Sequence, residues 1–441
     1  MTMSNGTAAT ADAENPTNDV TRTFRSRMAK YAGNKNVLVK PGIVAFRAEK
    51  KVLLDAYATG ISPDEPIEFV LIGPGSGHDY ESVAVSHAKA GDLHAALEFI
   101  GMQAGKPYNP EALRFWPKGE RVMLTTHFEG KDGRPRQVPA AQLILNQTTR
   151  KPLERIGFVF TGSKQASIMI EDGVTTNVYA ADYLDPRSLV SNYNEPTTVL
   201  DVPRQAPQAD VYRDQFLNPE CEIPEGLSVR FELRPEYPGE KRRVADLTLE
   251  VTRPEEAAAE PGLAALSFIL RGDSIAPSTN TDFTVVIKRF RKLVKDGHDP
   301  FVTLSFGPNP SLKAIHELCT VISTIEGPEG VRIEPPPGGQ LYYRAFLPNE
   351  DFRDRTARFA QPWELHLRRP DKGDLKATLF VIKQKWTKKK LQPDLTVEKV
   401  PVVSPDAART YITSHEGMSV VLIFASPDLT HKELMSWVRP L

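Results

Sequence analysis

Cysteine is nearly absent from this chain, which has Cys221, Cys319 and no other cysteine among 441 residues. Because the two are expected to lie in different domains, the sequence excludes a disulfide framework and a four-cysteine zinc site. Long apolar runs are also missing, and a transmembrane helix would need about 18 such residues. The N-terminus lacks the apolar core of a signal peptide. We therefore expect either a cytosolic protein or one that starts after a cleaved export signal, and the compartment stays open.

An excess of charge of either sign is also missing from the chain as a whole. Lys and Arg number 55 and Asp and Glu 56, which gives a formal net charge of -1. With 40% hydrophobic and 25% charged residues, the composition is typical of a soluble globular protein and not of a general polyanion binder. A chain of this length is expected to form two or three domains with cores large enough to need no covalent support.

The N-terminal part is predicted to be an α+β domain. We predict that residues 1–30 are a disordered tail, because they are rich in Thr, Asn, Ala and Asp, and that order begins near Asn36. Residues 31–252 are predicted to form a hairpin-rich mixed sheet with few helices. Three hairpins are expected: Val37–Val39 with Ile43–Phe46, Ile67–Ile72 with His78–Val85, and Leu227–Leu233 with Val244–Val251.

A helix is predicted directly after the second hairpin. Asp92 is a suitable N-cap residue, and Gly101 is a suitable terminator. Between them, apolar residues recur at helical spacing, at Leu93, Ala96, Leu97 and Ile100. We expect this apolar face to pack against the sheet.

The same region resembles a known family. The residues that carry the resemblance are H-D-Y-E-S at 78–82, G-D-L-H-A-A-L-E-F-I-G at 91–101, and G-K-P at 105–107. They resemble the YdjY family of uncharacterised bacterial proteins, over about residues 37–252. The resemblance implies a His-Glu-Ser triplet before the helix, but here Tyr80 stands in the place of the histidine and His78 lies two residues earlier. It implies a fold and a class of protein that is usually exported, with no established activity.

The C-terminal part, residues 264–441, is predicted to be an α/β domain that follows a linker at residues 253–263. Its two predicted pseudo-repeats each contain a helix, a glycine, a strand and a capped helix. V-T-L-S-F-G at 302–307 matches V-V-L-I-F-A at 420–425, and Ser311 and Thr430 are the predicted caps. Hairpins are expected at 331–346 and 363–382. This layout is loosely similar to the periplasmic domains of the ExbD and TolR energy-coupling proteins, without a shared motif.

One cluster contains residue types that could bind a metal or transfer protons: Glu68, His78, Asp79, Glu81, His87 and His94. Its spacing does not favour such a site. On a strand, His78 and Glu81 would point to opposite faces, and no His-x3-His pair lies on a helix. We therefore favour solvated polar residues with a Glu98–His94 pair one turn apart. His78, Glu81 and His94 remain the metal candidates, no catalytic residue is assigned, and no cofactor is predicted.

Basic residues are concentrated in the C-terminal part. Residues 264–441 contain 25 Lys and Arg against 20 Asp and Glu, a net charge of +5, and the rest of the chain carries -6. A basic segment surrounds Trp386 and contains Lys383, Lys385, Lys388, Lys389 and Lys390. It could bind an acidic protein or an anionic polymer, with nucleic acid not favoured, or it could simply be a solvated strand edge.

Two functional hypotheses follow from the sequence. The first is a non-enzymatic binding or scaffolding protein with a YdjY-like N-terminal domain. The second is a metal-dependent enzyme that uses the region of His78, Glu81 and His94.

Overall fold

The computed structural model describes residues 16–169, 175–237, 243–255, 262–272, 275–337, 363–370, 373–385, 394–414 and 421–439. The chain divides into two compact units. The first contains Met1–Tyr108 and Pro117–Glu240, and the second contains Asn109–Trp116 and Lys241–Leu441. Both units combine helices with sheets, so the predicted α+β class is confirmed. No helix within the described ranges is long and apolar enough to cross a membrane.

The described part of the chain begins with a helix, in a segment where disorder was predicted. Helix α1 spans Pro16–Lys30, and only residues 1–15 of the predicted tail lie outside the described ranges. Arg27 near its end forms an ion pair with Asp55, and Tyr31 meets the edge of the Phe46 ring. Because these contacts are made with residues far along the chain, the composition of the segment could not reveal them.

The first unit is built on one large sheet. Its strands in chain order are β1 (Val37–Lys40), β2 (Ile43–Phe46), β3 (Lys51–Ala58), β4 (Phe69–Ile72), β5 (Ser82–Ser86), β6 (Arg121–Glu129), β7 (Pro135–Pro139), β10 (Phe158–Phe160), β13 (Ser188–Ser191), β14 (Leu200–Asp201) and β16 (Ser228–Pro235). The spatial order is β1-β2-β3-β16-β6-β10-β14-β13-β4-β5, and β7 pairs with β6. Since β5 also pairs with β3, the sheet closes on itself.

The predicted hairpin of β1 and β2 is confirmed by their antiparallel register, with Val39 opposite Val44. The predicted hairpin of β4 and β5 is wrong, because these neighbours run parallel, with Phe69 opposite Ser82. The connection between them contains a short 3₁₀ helix (Asp79–Glu81) and returns the chain to the end of the sheet where β4 began. Alternating apolar residues predict strands but do not fix their direction.

Helix α2 (Ala90–Phe99) confirms the predicted apolar face and corrects its start. Its N-cap is Lys89, which makes no capping hydrogen bond through its side chain, and Asp92 lies inside the first turn. Leu93, Ala96, Leu97 and Ile100 are buried in the main core of the unit. Gly101 has a φ of +95°, which explains why the helix ends there.

Smaller elements complete the first unit. A three-stranded sheet has the order β15-β8-β9, and a separate hairpin pairs β11 with β12. Two short helices, α3 and α4, follow in the chain. The bounds are β8 (Ile144–Asn146), β9 (Lys151–Pro152), β11 (Gln165–Met169), β12 (Thr175–Tyr179), α3 (Ala180–Tyr183), α4 (Gln208–Asp214) and β15 (Gln215–Leu217).

The second unit contains two sheets, and the first of them includes a strand that was predicted to belong elsewhere. Its order is β19-β18-β17-β20-β21, with helices α5 and α6. The bounds are β17 (Val244–Thr252), β18 (Ser267–Gly272), β19 (Ile275–Asn280), α5 (Phe283–Lys295), β20 (Asp299–Phe306), α6 (Leu312–Ser323) and β21 (Arg332–Glu334). The hairpin predicted between β16 and β17 is wrong, because β17 pairs with β18 and β20.

The segment predicted as a linker, Arg253–Gly262, connects β17 to β18, which are neighbours in this sheet. Its residues 256–261 lie outside the described ranges. The division between the two compact units falls at Glu240 and Lys241, and a linker role for residues 253–263 stays a prediction. The expected hairpin at 331–346 is described only as far as residue 337, and β21 within it pairs parallel with β20.

The second sheet has the order β24-β23-β22-β25 and is packed by α7 and α8. The bounds are β22 (Trp363–Arg368), β23 (Lys376–Lys385), β24 (Asp394–Val402), α7 (Pro405–Thr413), β25 (Val421–Ala425) and α8 (His431–Val438). The hairpin expected at 363–382 is present as β22 and β23. Thr430 is the N-cap of α8, as predicted, and it forms a capping box with Glu433.

The elements of the two sheets follow one another in the same order: three antiparallel strands, a helix, a strand parallel to the first, and a helix. Backbone hydrogen bonds join the two halves reciprocally. The Leu312 N–H donates to the Leu429 carbonyl, and the His431 N–H donates to the Pro310 carbonyl. Between these bonds, the two N-cap residues Ser311 and Thr430 form an isolated antiparallel β-bridge. The sequence repeat itself stays a prediction.

Candidate functional site

Two loops of the first unit are held together beside β4. Gly73 donates a backbone hydrogen bond to the Arg187 carbonyl at 2.8 Å, and the Arg187 guanidinium donates to the Gly75 carbonyl at 3.1 Å. Gly75 has a φ of +70°, which a residue with a side chain rarely adopts. These bonds fix the loop that leads to His78.

The 3₁₀ turn brings His78 and Glu81 to the same side of the chain. In such a turn, residues three apart lie above one another. His78 Nδ1 lies 2.5 Å from Glu81 Oε1, and Nε2 lies 2.8 Å from Asp185 Oδ1. The expectation that His78 and Glu81 point to opposite faces is therefore wrong, because the residues precede the strand and do not belong to it.

Two carboxylates are buried behind this histidine. Glu68 is 2% exposed and Glu81 is 4% exposed, and a backbone hydrogen bond of 3.0 Å joins the two residues. The Gln208 amide donates to both oxygens of Glu68 at 3.0 Å, and the Tyr212 hydroxyl donates to Glu81 Oε2 at 3.2 Å. Asp185, Gln208 and Tyr212 were missed by sequence reasoning, since no local pattern links residues more than 100 positions away.

The carboxylates and the histidine influence each other's ionisation. Burial raises the pKa of Glu68, and the charge of Glu81 adds to this, against hydrogen bonds from Tyr212 and Gln208 that lower it. Burial lowers the pKa of His78, but its hydrogen bonds to Glu81 and Asp185 outweigh burial, so its pKa is raised overall. The site therefore favours a positively charged His78 between two acidic groups.

Two exposed tyrosines lie over the buried carboxylates. Tyr80 is 67% exposed and Tyr212 is 51% exposed. The Tyr80 ring stacks on His78 with a centroid distance of 5.9 Å and an interplanar angle of 30°. The charge of Glu81 is the largest cause of a raised pKa for Tyr80, and the Tyr212 hydroxyl donates to the same carboxylate. We call Tyr80, Tyr212, His78 and Glu81 the Tyr80–Glu81 surface.

Comparison with known families gives a match over this part of the chain: residues 43–200 match the model of the YdjY domain. Residues 43–200 are therefore similar to the YdjY domain, and we use that name for them below. The match covers His78, Glu81 and Asp185, whereas Gln208 and Tyr212 follow its end. Comparisons with curated proteins and with solved structures found no match.

The other histidines predicted for the cluster lie elsewhere in the YdjY domain. His94 Nδ1 lies 2.9 Å from the Tyr179 hydroxyl, and its Nε2 lies 3.3 Å from Glu98, so the predicted pair on the helix is confirmed. His87 packs on the Tyr57 ring, and Asp79 is exposed. Within the described part of the chain, no three His, Cys, Asp or Glu side chains are arranged so that they could hold a metal ion.

The basic segment lies outside the YdjY domain, and most of it lies beyond the described ranges. Lys383 and Lys385 are on β23, opposite Thr396 and Asp394, and Lys385 is exposed. Trp386, Lys388, Lys389 and Lys390 are not among the described residues. A binding role for the segment stays a prediction.

Proposed function

We propose that this chain is a non-enzymatic binding or scaffolding protein and that the Tyr80–Glu81 surface of its first unit is a binding site. The observation that carries the proposal is a buried, fully hydrogen-bonded polar network under two exposed aromatic rings. Exposed aromatic residues beside satisfied polar groups are typical of interaction surfaces.

The hydrogen bonds of the network favour binding over catalysis. Both nitrogens of His78 face carboxylates, and both oxygens of Glu68 and of Glu81 have partners. A general base needs a free lone pair directed at a substrate. Here the polar groups hold the two loops and α4 in place, and this supports a rigid platform for a partner.

The alternative is a metal-dependent enzyme that uses His78, Glu81 and His94. It requires these three side chains to converge on one ion. Instead, His94 contacts Tyr179 and Glu98, and the pair His78–Glu81 is completed by Asp185. This separation makes the enzyme the second candidate.

Metal analysis of the purified full chain separates the two. We expect well below one zinc or manganese ion per chain, with no difference between the wild type and a His78→Ala/His94→Ala double variant. Stoichiometric metal that disappears in the double variant would favour the enzyme.

A photo-crosslinking amino acid placed at position 80 tests binding directly, in cells that make the protein. We expect a discrete crosslinked adduct at position 80 and none at position 183, because Tyr183 is also exposed, at 57%, but lies at the end of α3 and is not part of this surface. If no adduct forms at position 80, a binding function of this surface is ruled out.

A second partner class is proposed for the basic segment, on charge alone. Its lysines would attract an acidic protein or an anionic polymer through screened Coulomb forces. Lys385, exposed at the end of β23, is the described residue that supports this.

A further inference from the structure

We infer that the Tyr80–Glu81 surface receives a lysine or arginine side chain from a partner polypeptide. This inference rests on the proposed binding function and adds the chemistry of the ligand. It draws on the exposure of the two rings, the hydrogen bond from Tyr212 to Glu81, the stacking of Tyr80 on His78, and the balance of charge around them.

The two rings are suited to contact a cation. Tyr80 and Tyr212 are more than half exposed, so a ligand can reach both residues. The Tyr212 hydroxyl donates its hydrogen to Glu81, and this leaves the ring with more electron density on its faces. Ring faces rich in electrons attract ammonium and guanidinium groups.

The charges around the rings are mainly negative. Glu68 and Glu81 are buried below them, and Asp185 has a side chain that is 78% exposed at the rim. Among the described partners of these three carboxylates, His78 is the ionisable base. Residues 1–263 also carry a net charge of -6. Charge complementarity therefore indicates a cationic ligand.

The openness of the surface indicates the source of the cation. Pockets for small molecules bury about 70–90% of their ligand. Two tyrosines that remain 67% and 51% exposed do not enclose a free amine in this way. A side chain held by the surrounding contacts of a protein partner does not need such enclosure.

Fluorescence anisotropy with the full chain tests this inference. The probes are labelled peptides of alternating glycine and arginine, the same with lysine, and the same with glutamate. At about 50 mM salt, where the screening length still exceeds 10 Å, we expect the two cationic peptides to bind and the acidic one not to.

Two sets of variants identify the surface. Tyr80→Leu/Tyr212→Leu removes the rings without changing the charge, and Glu81→Gln removes the charge below them. We expect each to weaken binding about tenfold or more, because the ring faces and the carboxylate act on the same cation. The matched controls Tyr183→Leu and Glu98→Gln should stay within about twofold of the wild type, since neither residue contacts Glu81. Tyr80→Phe keeps the ring and should retain binding, and far-UV circular dichroism identifies variants that fail to fold.

Absence of cationic peptide binding, or binding that the double leucine variant retains, would overturn the inference. The second result would mean general attraction between opposite charges. If an adduct forms at position 80 in cells but no peptide binds, the binding function is supported and the inference of a cationic ligand is refuted. Absence of both would refute both proposals.

Discussion

Buried polar side chains are distributed unequally between the two units. Among the residues that the structure describes, eighteen polar or charged side chains are buried in the first unit and three in the second. In the first unit most lie in residues 68–86 and 188–218, the segments that build the site. In the second they are Asp299, Arg332 and Glu364, inside sheets with apolar cores.

We interpret the larger number of buried polar side chains in the first unit as a cost in stability that accompanies a defined surface. A polar group removed from water costs free energy unless it is hydrogen-bonded, so a network such as that of Glu68 and Glu81 needs many partners in fixed positions. The second unit needs few such groups, because its helices and sheets are held by apolar packing. This contrast agrees with the proposal that the first unit contains the main recognition surface, and the predictions below test that division.

The largest effect is expected for Arg332→Met in the second unit. Arg332 and Asp299 form a buried ion pair with an N–O distance of 3.2 Å and side-chain exposures of 3% and 9%. Removal of the guanidinium takes away the charge partner that Arg332 provides to a buried carboxylate, which should cost about 3–5 kcal/mol of unfolding free energy. Tryptophan fluorescence measures this loss, because Trp116, Trp363, Trp386 and Trp437 all belong to the second unit.

The matched control is Arg271→Met, which breaks an exposed ion pair with Glu250 on a neighbouring strand of the same sheet. Its cost should stay below about 1 kcal/mol. Equal losses for Arg271→Met and Arg332→Met would contradict the idea that the few buried charges of this unit are important for its stability.

The next effect is expected for Leu97→Ala in the first unit. Leu97 is fully buried on α2, so loss of its side chain leaves a cavity and should cost about 2–4 kcal/mol. Far-UV circular dichroism should show that the first unit unfolds at a lower denaturant concentration than in the wild type. If the units unfold independently, the tryptophan fluorescence of the second unit should keep its midpoint denaturant concentration. Leu227→Ala, at a leucine that is 37% exposed, is the control and should change little. A joint shift of both signals would show that the units unfold together.

Sequence patterns predicted those parts of the molecule that are determined locally. The apolar face of α2, the glycine after it and the capping box of α8 each depend on residues within one or two helical turns. The direction of β5 and the partner of β17 depend on contacts with distant strands, so alternation of apolar residues predicted the strands but not their neighbours.

The candidate site could be predicted only in part for the same reason. Glu68, His78 and Glu81 lie close in the sequence and were recognised as a group. The orientation of these side chains depends on a 3₁₀ turn whose sequence resembles the end of a strand. Their partners lie far along the chain, because Asp185 belongs to the loop before β13 and Tyr212 belongs to α4.

A smaller effect, dependent on pH, is expected for His78→Asn. The pKa of His78 is raised above its ordinary value of 6.5 in the folded chain. The stabilisation from its protonated form is thus complete below pH 6.5 and is lost as the pH rises through the raised pKa. The variant should be less stable than the wild type by about 1 kcal/mol at acidic pH and by less at alkaline pH.

Urea unfolding at several pH values, followed by circular dichroism, measures this difference. Asp185→Asn removes one of the two carboxylate partners, so it should show part of the same pH dependence. A difference between wild type and His78→Asn that grows with pH would mean that His78 does not act as a cation between Glu81 and Asp185.

The smallest effect on stability concerns the basic segment, and it sharpens the division of roles between the units. Charge reversal at Lys388, Lys389 and Lys390 should change the Tm by no more than about one or two degrees, because exposed charges contribute little to folding. If the segment binds an anionic partner, the same variant should lose retention on heparin at about 50 mM salt, since attraction between charges is still felt beyond 10 Å there. If the wild type itself is not retained on heparin, nucleic acid or an acidic polysaccharide, the lysines only keep a strand edge soluble, and the proposed recognition is confined to the first unit.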